Sequence, residues 1–244
     1  MRNIWVIAKR EYSLYFISPV AYAILFMIML ILGIIFYFNV LAAMLNQFTP
    51  DIQFVINPLV TMLLFTTPAI TMRTIAEEQK QGTLETLLTA PLHDAELVMG
   101  KWLGTLLFGT TVILITLIYP ILLNFMVKPG LDMGLVLSNY LGVFLLTCGF
   151  FAVGVFASSL FSNQIAAFFV TLGILLVFWT ISFPTQLSSP TTFSEVLTYL
   201  DFSRHFYSSF NTGLIGLKDI VYLLSISGFS LYVASVVIES KRWH

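Results

Sequence analysis

The sequence has very little charge. Of its 244 residues, 11 are Lys or Arg and 12 are Asp or Glu, so charged residues make up 9% and hydrophobic residues 58%. A soluble domain carries about 25% charged residues, and the smaller share found here cannot solvate a globular surface. Together with a mean hydropathy of +0.94, this composition predicts a chain that folds in lipid. The formal net charge of −1 argues against a nucleic-acid partner.

Cysteine and nucleotide-binding motifs are also scarce. The one cysteine, Cys148, lies in an apolar run, which excludes a disulfide within the chain and argues against a thiolate metal site. The only Gly-Lys pair is Gly100-Lys101, and it is followed by Trp102 where a phosphate-binding loop needs Ser or Thr. Ala95 stands where that loop needs its first glycine. We therefore expect no catalytic site, cofactor or metal in this chain, and any ATP hydrolysis must take place on another chain.

Long apolar runs are what the sequence has in place of charge. A membrane-crossing helix needs about 20 mostly apolar residues. Six stretches meet this requirement and predict an all-α integral membrane protein, with spans at about 20–40, 56–75, 101–126, 138–160, 165–183 and 219–238. The fourth and fifth spans are separated only by Phe161–Gln164, so one buried helical hairpin is an alternative for that pair.

The distribution of Lys and Arg predicts the orientation of these spans. With the N-terminus in the cytoplasm, the inner segments carry eight basic residues and the outer segments three. The inner ones are Arg2, Lys9, Arg10, Arg73, Lys80, Lys101, Lys241 and Arg242, and the outer ones Lys128, Arg204 and Lys218. Basic residues concentrate on the cytoplasmic side of membrane proteins. We therefore predict that both termini are cytoplasmic.

The segment Arg73–Glu96, between spans two and three, gathers seven charged residues in a chain that has few. Thr74 and Glu77 have the spacing of a capping box, which predicts a short helix that starts there and continues the second span. Gly82 tolerates left-handed dihedral angles and is a suitable terminator for that helix. This segment is predicted to be the longest piece of the chain in cytoplasmic water.

A second short helix is predicted directly after Gly82. Thr83 is placed to cap it, Leu84, Leu87 and Leu88 share one of its faces, and Pro91 ends it. A leucine face in water is unfavourable, so it needs something to cover it. Two alternatives stay open on periodicity alone: the face contacts a partner protein, or it rests on headgroups or on the ends of the protein's own spans.

The N-terminal residues Arg2–Phe16 predict an amphipathic helix at the membrane interface. Its apolar arc holds Trp5, and the opposite arc carries Lys9 and Arg10, which suit contact with anionic headgroups. Ser18-Pro19 then turns the chain into the membrane. The alternatives are a connecting helix with a mechanical role and a plain anchor.

The longest outer segment runs from Pro184 to Leu217. It contains two short, aromatic-rich pieces, Phe193–Leu200 and Phe206–Ile215, which are too short to cross and predict half-helices. They are either re-entrant or surface half-helices, or part of a loop that rests on the membrane surface. The adjacent Arg204 and His205 are expected to form an ordinary surface pair, and contact with anionic headgroups or a substrate is the alternative.

Several milder features lie inside the spans. Gly100 and Gly104 have GxxxG spacing, which can permit close helix approach, and Pro120 is expected to kink span three. The span interiors hold no Asp, Glu, Lys or Arg, whereas ion-coupled carriers generally need buried ionisable relays. This pattern argues against a secondary transporter, which remains the weaker alternative.

Three stretches carry a resemblance to a known family. "EEQKQGTLETLLTAPL" (Glu77–Leu92) resembles the G-T-L-E-x-L-L signature of ABC-2 type permease subunits. The fit is closest to the gliding-associated (GldF-like) branch, and the stretch is also similar to NosY-type permeases. "KREYSLYFISPVAYAIL" (Lys9–Leu25) and "HFYSSFNTGLIGLKDIVYLLSISGFSLYVASVVIESKRW" (His205–Trp243) resemble the first and last segments of that branch.

The resemblance implies a single ABC-2 type transmembrane domain over residues 1–244. Its parts are a connecting helix at 1–18, spans one to four at 20–160 with a coupling loop at 73–97, spans five and six at 165–238 with an outer lid at 184–217, and a cytoplasmic tail at 239–244. The loop would contain a coupling helix that docks on a separate ATPase subunit. The residues implied in docking are Glu77, Glu78, Gly82, Thr83, Leu84, Glu85, Leu87 and Leu88.

The resemblance also implies partners and location. ATP and Mg would be bound by the ATPase subunit, and a second permease subunit, identical or not, would complete the membrane part, with the first and fifth spans meeting across the dimer. Membrane lipids and an extracytoplasmic accessory protein are further expected partners, and the location is a bacterial or archaeal cytoplasmic membrane. The implied function is ATP-driven export of a lipid-like, amphiphilic or polymeric substrate. The alternative is an ATP-gated scaffold that transmits force without transport.

Overall fold

The computed structural model describes residues 2–46, 49–83, 93–128, 130–183 and 192–241. Within these ranges the chain forms eleven α-helices and one 3-10 turn, and no strand. The elements are α1 (Arg2–Ile17), α2 (Pro19–Asn46), α3 (Gln53–Thr71), α4 (Ala76–Gln81), α5 (Asp94–Thr116), α6 (Ile118–Met126), α7 (Met133–Leu160), α8 (Gln164–Thr180), α9 (Thr192–Tyr199), α10 (Phe202–Tyr207), the 3-10 turn (Phe210–Thr212) and α11 (Leu217–Lys241).

The helices include the predicted membrane spans. In the described part of the chain, five helical segments are long and apolar enough to cross a membrane: α2, α3 with α4, α5 with α6, α7 and α11. The sixth, α8, is apolar but has only 17 residues, which gives it a length of about 26 Å at 1.5 Å per residue. The prediction of an all-α membrane protein is confirmed, and the arrangement is consistent with six spans.

Helix α7 forms the centre of the bundle. In its most apolar stretch 83% of the residues are buried, against 17% for α2 at the periphery. The start of α7 is fixed by Asp132, whose carboxylate accepts hydrogen bonds from the backbone N–H groups of Gly134 and Leu135 at 2.8 and 3.3 Å. These bonds satisfy donors that the first turn of a helix leaves unpaired. Asn163 caps α8 in the same way through the N–H of Ile165, so α7 and α8 are separate helices.

The third span is interrupted near Pro120, where the sequence predicted a kink. Helix α5 ends at Thr116 and α6 begins at Ile118. Because Pro120 has no N–H, it cannot bond the carbonyl oxygen of Thr116 four residues earlier. The hydroxyl of Tyr140 on α7 donates to that oxygen instead, at 3.0 Å. The interruption is therefore stabilised by a neighbouring helix.

The bundle has two ends of different construction, which we call the α1 end and the far end. The α1 end contains α1, α4, the start of α5 and the ends of α7 and α11, and Lys241 closes it by donating to the carbonyl oxygen of Ser159 at 2.8 Å. The far end contains α9, α10 and the 3-10 turn, and Gln53 at the start of α3 donates to the carbonyl oxygen of Asn211 there at 2.9 Å. The N-terminal helix and the end of α11 therefore lie at the same end of the bundle.

The far end corrects one detail of the sequence prediction. The first predicted half-helix corresponds to α9, but the helix predicted over Phe206–Ile215 lies earlier, at Phe202–Tyr207. The side chain of Asp201 caps it by accepting a hydrogen bond from the N–H of Ser203 at 2.7 Å. Gly213, with φ +86°, ends the following 3-10 turn. A capping carboxylate and a left-handed glycine therefore set the limits of these elements, which the aromatic-rich composition alone does not reveal.

Candidate functional site

Helix α1 is packed directly on α5 through two glycines. A Cβ added to Gly100 would lie 2.7 Å from Cβ of Ile7, and one added to Gly104 would lie 2.5 Å from Cβ of Glu11. Real Cβ atoms do not approach so closely, so only glycine permits this contact. The GxxxG spacing noted in the sequence therefore serves the attachment of the N-terminal helix to the third span.

A buried ion cluster lies at this crossing. The Nζ of Lys101 on α5 is 2.8 Å from Oε1 of Glu11 on α1 and 2.8 Å from Oε1 of Glu78 on α4. Lys101 is 1% exposed. A charge so far from water is stable only when it is paired, so the lysine holds both carboxylates in place. The three residues join the N-terminal helix α1 to α4 and α5, which lie much later in the chain.

The junction between α3 and α4 is held by Ser158 at the end of α7. Its Oγ accepts hydrogen bonds from the backbone N–H groups of Ile75 and Ala76 at 3.1 and 3.0 Å and donates to the carbonyl oxygen of Met72 at 3.3 Å. The predicted capping box is wrong, since the hydroxyl of Thr74 donates to the carbonyl of Thr71 and Ile75 occupies the N-cap position. A side chain from another helix supplies the acceptor that the local sequence was expected to supply.

The end of α4 reaches the surface. Gly82 ends the helix with φ +70°, which confirms its predicted role as a terminator. Gln81, Gly82 and Thr83 are exposed, and Glu77 is half-buried. Gln79 on the other side of the helix accepts a hydrogen bond from Lys241 at 2.9 Å. Helix α4 is thus anchored on both sides, by Lys101 and by Lys241, while its C-terminal end points outward.

The predicted docking residues are placed unequally. The carboxylate of Glu78 faces inward to Lys101, whereas Gly82 and Thr83 lie on the surface. Four further predicted docking residues, Leu84, Glu85, Leu87 and Leu88, lie outside the described residues, and so does the predicted second short helix. The structure therefore places α4, the start of the predicted coupling segment, beside α1 and α5.

The N-terminal helix has the expected two faces, with one difference. Ala8 is fully buried, Tyr12 and Tyr15 pack on the core, and Lys9 and Arg10 are exposed. Trp5, expected on the apolar arc, is 59% exposed. This exposure suits a ring at the membrane interface.

Tyr15 connects the N-terminal helix to the second span. Its hydroxyl donates to the carbonyl oxygen of Ile70 at 3.1 Å, and its ring stacks on Phe108 with centroids 4.8 Å apart. Burial raises the pKa of the Tyr15 hydroxyl, so it keeps the proton that makes this hydrogen bond. The N-terminal helix is therefore joined to the bundle by polar as well as apolar contacts.

Sequence reasoning missed the partners at the centre of this site. The sequence patterns assign no role to Glu11 and give Lys101 a role only in the orientation of the spans. A single acidic residue in an otherwise basic N-terminal helix, together with a lysine inside a GxxxG motif, was the available signal. Ser158 is a polar residue at the end of a buried helix, and such a residue is a candidate cap.

The far end holds a second polar cluster. Asp219, 1% exposed, has Oδ1 2.6 Å from Nδ1 of His205 and accepts a hydrogen bond at Oδ2 from Ser209 at 2.5 Å. The Nε2 of His205 lies 2.8 Å from the carbonyl oxygen of Tyr199. The expected surface pair is wrong for His205, which is buried. Arg204 is exposed, as expected. A histidine flanked by two acceptors is better satisfied inside this cluster than in water.

The comparison with known families agrees with this architecture. The family model described as "ABC-2 family transporter protein" matches residues 37–237, which is most of the chain. The match starts within α2 and ends near the end of α11, so it includes α3, α4 and the whole far end. No curated protein sequence is a significant match. With its multiple apolar helices and this family match, the chain is a multi-pass membrane protein that belongs to the ABC-2 family of transporter proteins.

Proposed function

We propose that this chain is the permease subunit of an ATP-driven transporter and receives mechanical work at the α1 end. Family membership supports a membrane component of an ABC transporter. The proposal adds that a separate ATPase subunit docks, on the cytoplasmic side, against the surface formed by the end of α4 and the residues after it. The GldF-like branch, indicated by the sequence motifs, belongs to the same proposal.

The observation that carries the proposal is the anchoring of α4. A push on its exposed end is transmitted through Glu78 and Lys101 to α5 and through Glu11 to α1. Because a buried ion cluster resists separation, the three elements are expected to move together. Ser158 links the same point to α7, the centre of the bundle. A small displacement at the surface would therefore tilt several spans.

The remaining parts of the proposal concern assembly and cargo. We expect a second permease subunit to cover α2 and α8, because both leave most of their length outside the core of this chain. Helix α8 buries only Ala167, Thr171 and Leu175. The apolar spans favour a lipid-like or amphiphilic cargo moved outward, and ATP and Mg would be bound by the ATPase subunit. Force transmission without transport is the second candidate.

Purification of the tagged full chain from its native membrane tests the docking. We expect an ATPase to co-purify. Native mass spectrometry should detect two copies of it together with two permease subunits. Leu87→Asp or Leu88→Asp should reduce the recovered ATPase about tenfold or more, since burying one leucine contributes about 1.5–3 kcal/mol. The matched control is Leu214→Asp, which places the same charge on a 65% exposed leucine outside the α1 end. Equal recovery from Leu87→Asp and Leu214→Asp would overturn the docking assignment.

A further inference from the structure

A cleft of about 600 Å³ opens at the α1 end, between α1, α2, α3 and α4. Charged side chains of both signs line one part of it: Arg10, Glu11, Arg73, Glu77, Glu78 and Lys101. Leu14, Ile17 and Val20, from the end of α1 and the start of α2, line another part and are themselves exposed. The cleft therefore has an amphiphilic lining where an interfacial helix turns into a membrane span.

The charges in the cleft balance. Three cations face three carboxylates, and Lys101 is shared between Glu11 and Glu78. Glu11 and Lys101 are buried and Arg73, Glu77 and Glu78 are partly buried, so a ligand with a single charge of either sign would add an uncompensated charge beside them. A ligand that carries both signs leaves the balance intact.

Two buried atoms in the cleft lack hydrogen-bond partners in the described part of the chain. They are Nε of Arg73, a donor, and Oε2 of Glu78, an acceptor. Buried polar atoms are usually hydrogen-bonded, so both atoms call for partners. One needs an acceptor, which a phosphate oxygen supplies, and the other needs a donor, which an ammonium group supplies. Arginine is well suited to phosphate because its guanidinium forms charge-assisted hydrogen bonds.

We propose that this cleft binds a zwitterionic amphiphile with a phosphate and a primary ammonium group, of the phosphoethanolamine lipid type. The phosphate lies at Arg73, with Arg10 nearby, and the ammonium lies at Glu78 and Glu77. An acyl chain leaves the cleft along Leu14, Ile17 and Val20 toward the membrane. The site requires no ATPase, so a failure of the proposed docking would not contradict it.

Native mass spectrometry of the purified full chain in detergent tests the site. The probes are dioleoyl phosphatidylethanolamine, phosphatidylglycerol and phosphatidylcholine, each at the same concentration, and soluble phosphoethanolamine as a competitor. We expect phosphatidylethanolamine to be retained about tenfold more than the other two, since a charge-assisted hydrogen bond is missing from each of them. Phosphatidylglycerol lacks the ammonium, and the quaternary group of phosphatidylcholine has no N–H to donate.

Variants assign the retained lipid to the cleft. Arg73→Gln and Glu77→Gln should each abolish the preference for phosphatidylethanolamine, while Lys9→Gln and Arg204→Gln, on exposed residues outside the cleft, should keep it. Thermal unfolding of Arg73→Gln checks that it folds. Equal retention of phosphatidylglycerol, or unchanged preference in folded Arg73→Gln, would overturn the proposal. Displacement of the lipid by an equimolar amount of soluble phosphoethanolamine would show that the acyl chain contributes nothing and would overturn the amphiphile assignment.

Discussion

The two ends of the bundle use buried charge in different ways. At the far end both oxygens of Asp219 are bonded, to His205 and Ser209, and all three residues lie within 15 positions of one another in the sequence. At the α1 end Lys101 joins residues about 90 and 23 positions away, and one oxygen of Glu78 is left without a partner in the described residues. The far end closes a local segment on itself. The α1 end connects distant helices and keeps unused bonding capacity beside a cleft.

This difference is in line with the two proposals above, which both place contacts with other molecules at the α1 end. A satisfied local cluster stabilises one arrangement, whereas a shared ion cluster with an open oxygen and an exposed helix end can respond to a ligand or partner. Stability measurements on variants from each end test this difference.

The largest effect is expected from Lys101→Met. The substitution leaves Glu11 and Glu78 buried without their counter-charge, and breaking a buried ion pair costs about 3–5 kcal/mol. The free energy of unfolding in detergent, measured by denaturant titration, should fall by that amount. The triple variant Glu11→Gln, Glu78→Gln, Lys101→Met should regain most of the loss because no buried charge remains. A Lys101→Met protein as stable as the parent would show that the cluster anchors nothing.

A smaller effect is expected at the far end from Asp219→Asn. The amide keeps the size of the side chain but removes the negative charge that accepts from Ser209 and pairs with His205. Hydrogen bonds to a charged group contribute about 1.5–3 kcal/mol, so the loss should fall in that range. Arg204→Gln, on an exposed neighbour, should change the free energy of unfolding by less than about 0.5 kcal/mol. A loss larger than that of Lys101→Met would reverse the ranking of the two ends.

The smallest effect is expected from Gly104→Ala, which tests whether α1 packs directly on Gly104 beside the ion cluster. The added methyl group would press on Cβ of Glu11 and on the carbonyl oxygen of Ala8, so α1 must shift, at a cost of about 1–3 kcal/mol. The control is Gly228→Ala on α11, where no described atom beyond the adjoining residues and the local helix backbone lies within 4 Å of the new Cβ. That change should stabilise the helix by up to about 1 kcal/mol. Equal melting temperatures for the two variants would mean that α1 does not rest on Gly104 as described.

Local features of the sequence predicted well those parts of the fold that depend on short segments. The six apolar runs, the terminator role of Gly82 and the interruption at Pro120 all follow from residue type and spacing. The capping box at Thr74 failed because Ser158, more than 80 residues away, supplies the acceptor at that junction. The second half-helix lies earlier than predicted because Asp201 caps its start, whereas the prediction rested on the apolar and aromatic content of the segment.

Hydropathy and span length depend only on composition along short windows, so the order of amino acids is enough to predict a helical membrane protein. It also indicated the family through the Glu77–Leu92 motif, and the family match confirmed the ABC-2 membership. Two features are visible only in the folded protein. Lys101 is a buried link between Glu11 and Glu78, and Arg73 and Glu78 line the same cleft. Pairing of buried charges depends on which helices pack together, and local sequence patterns do not reveal that packing.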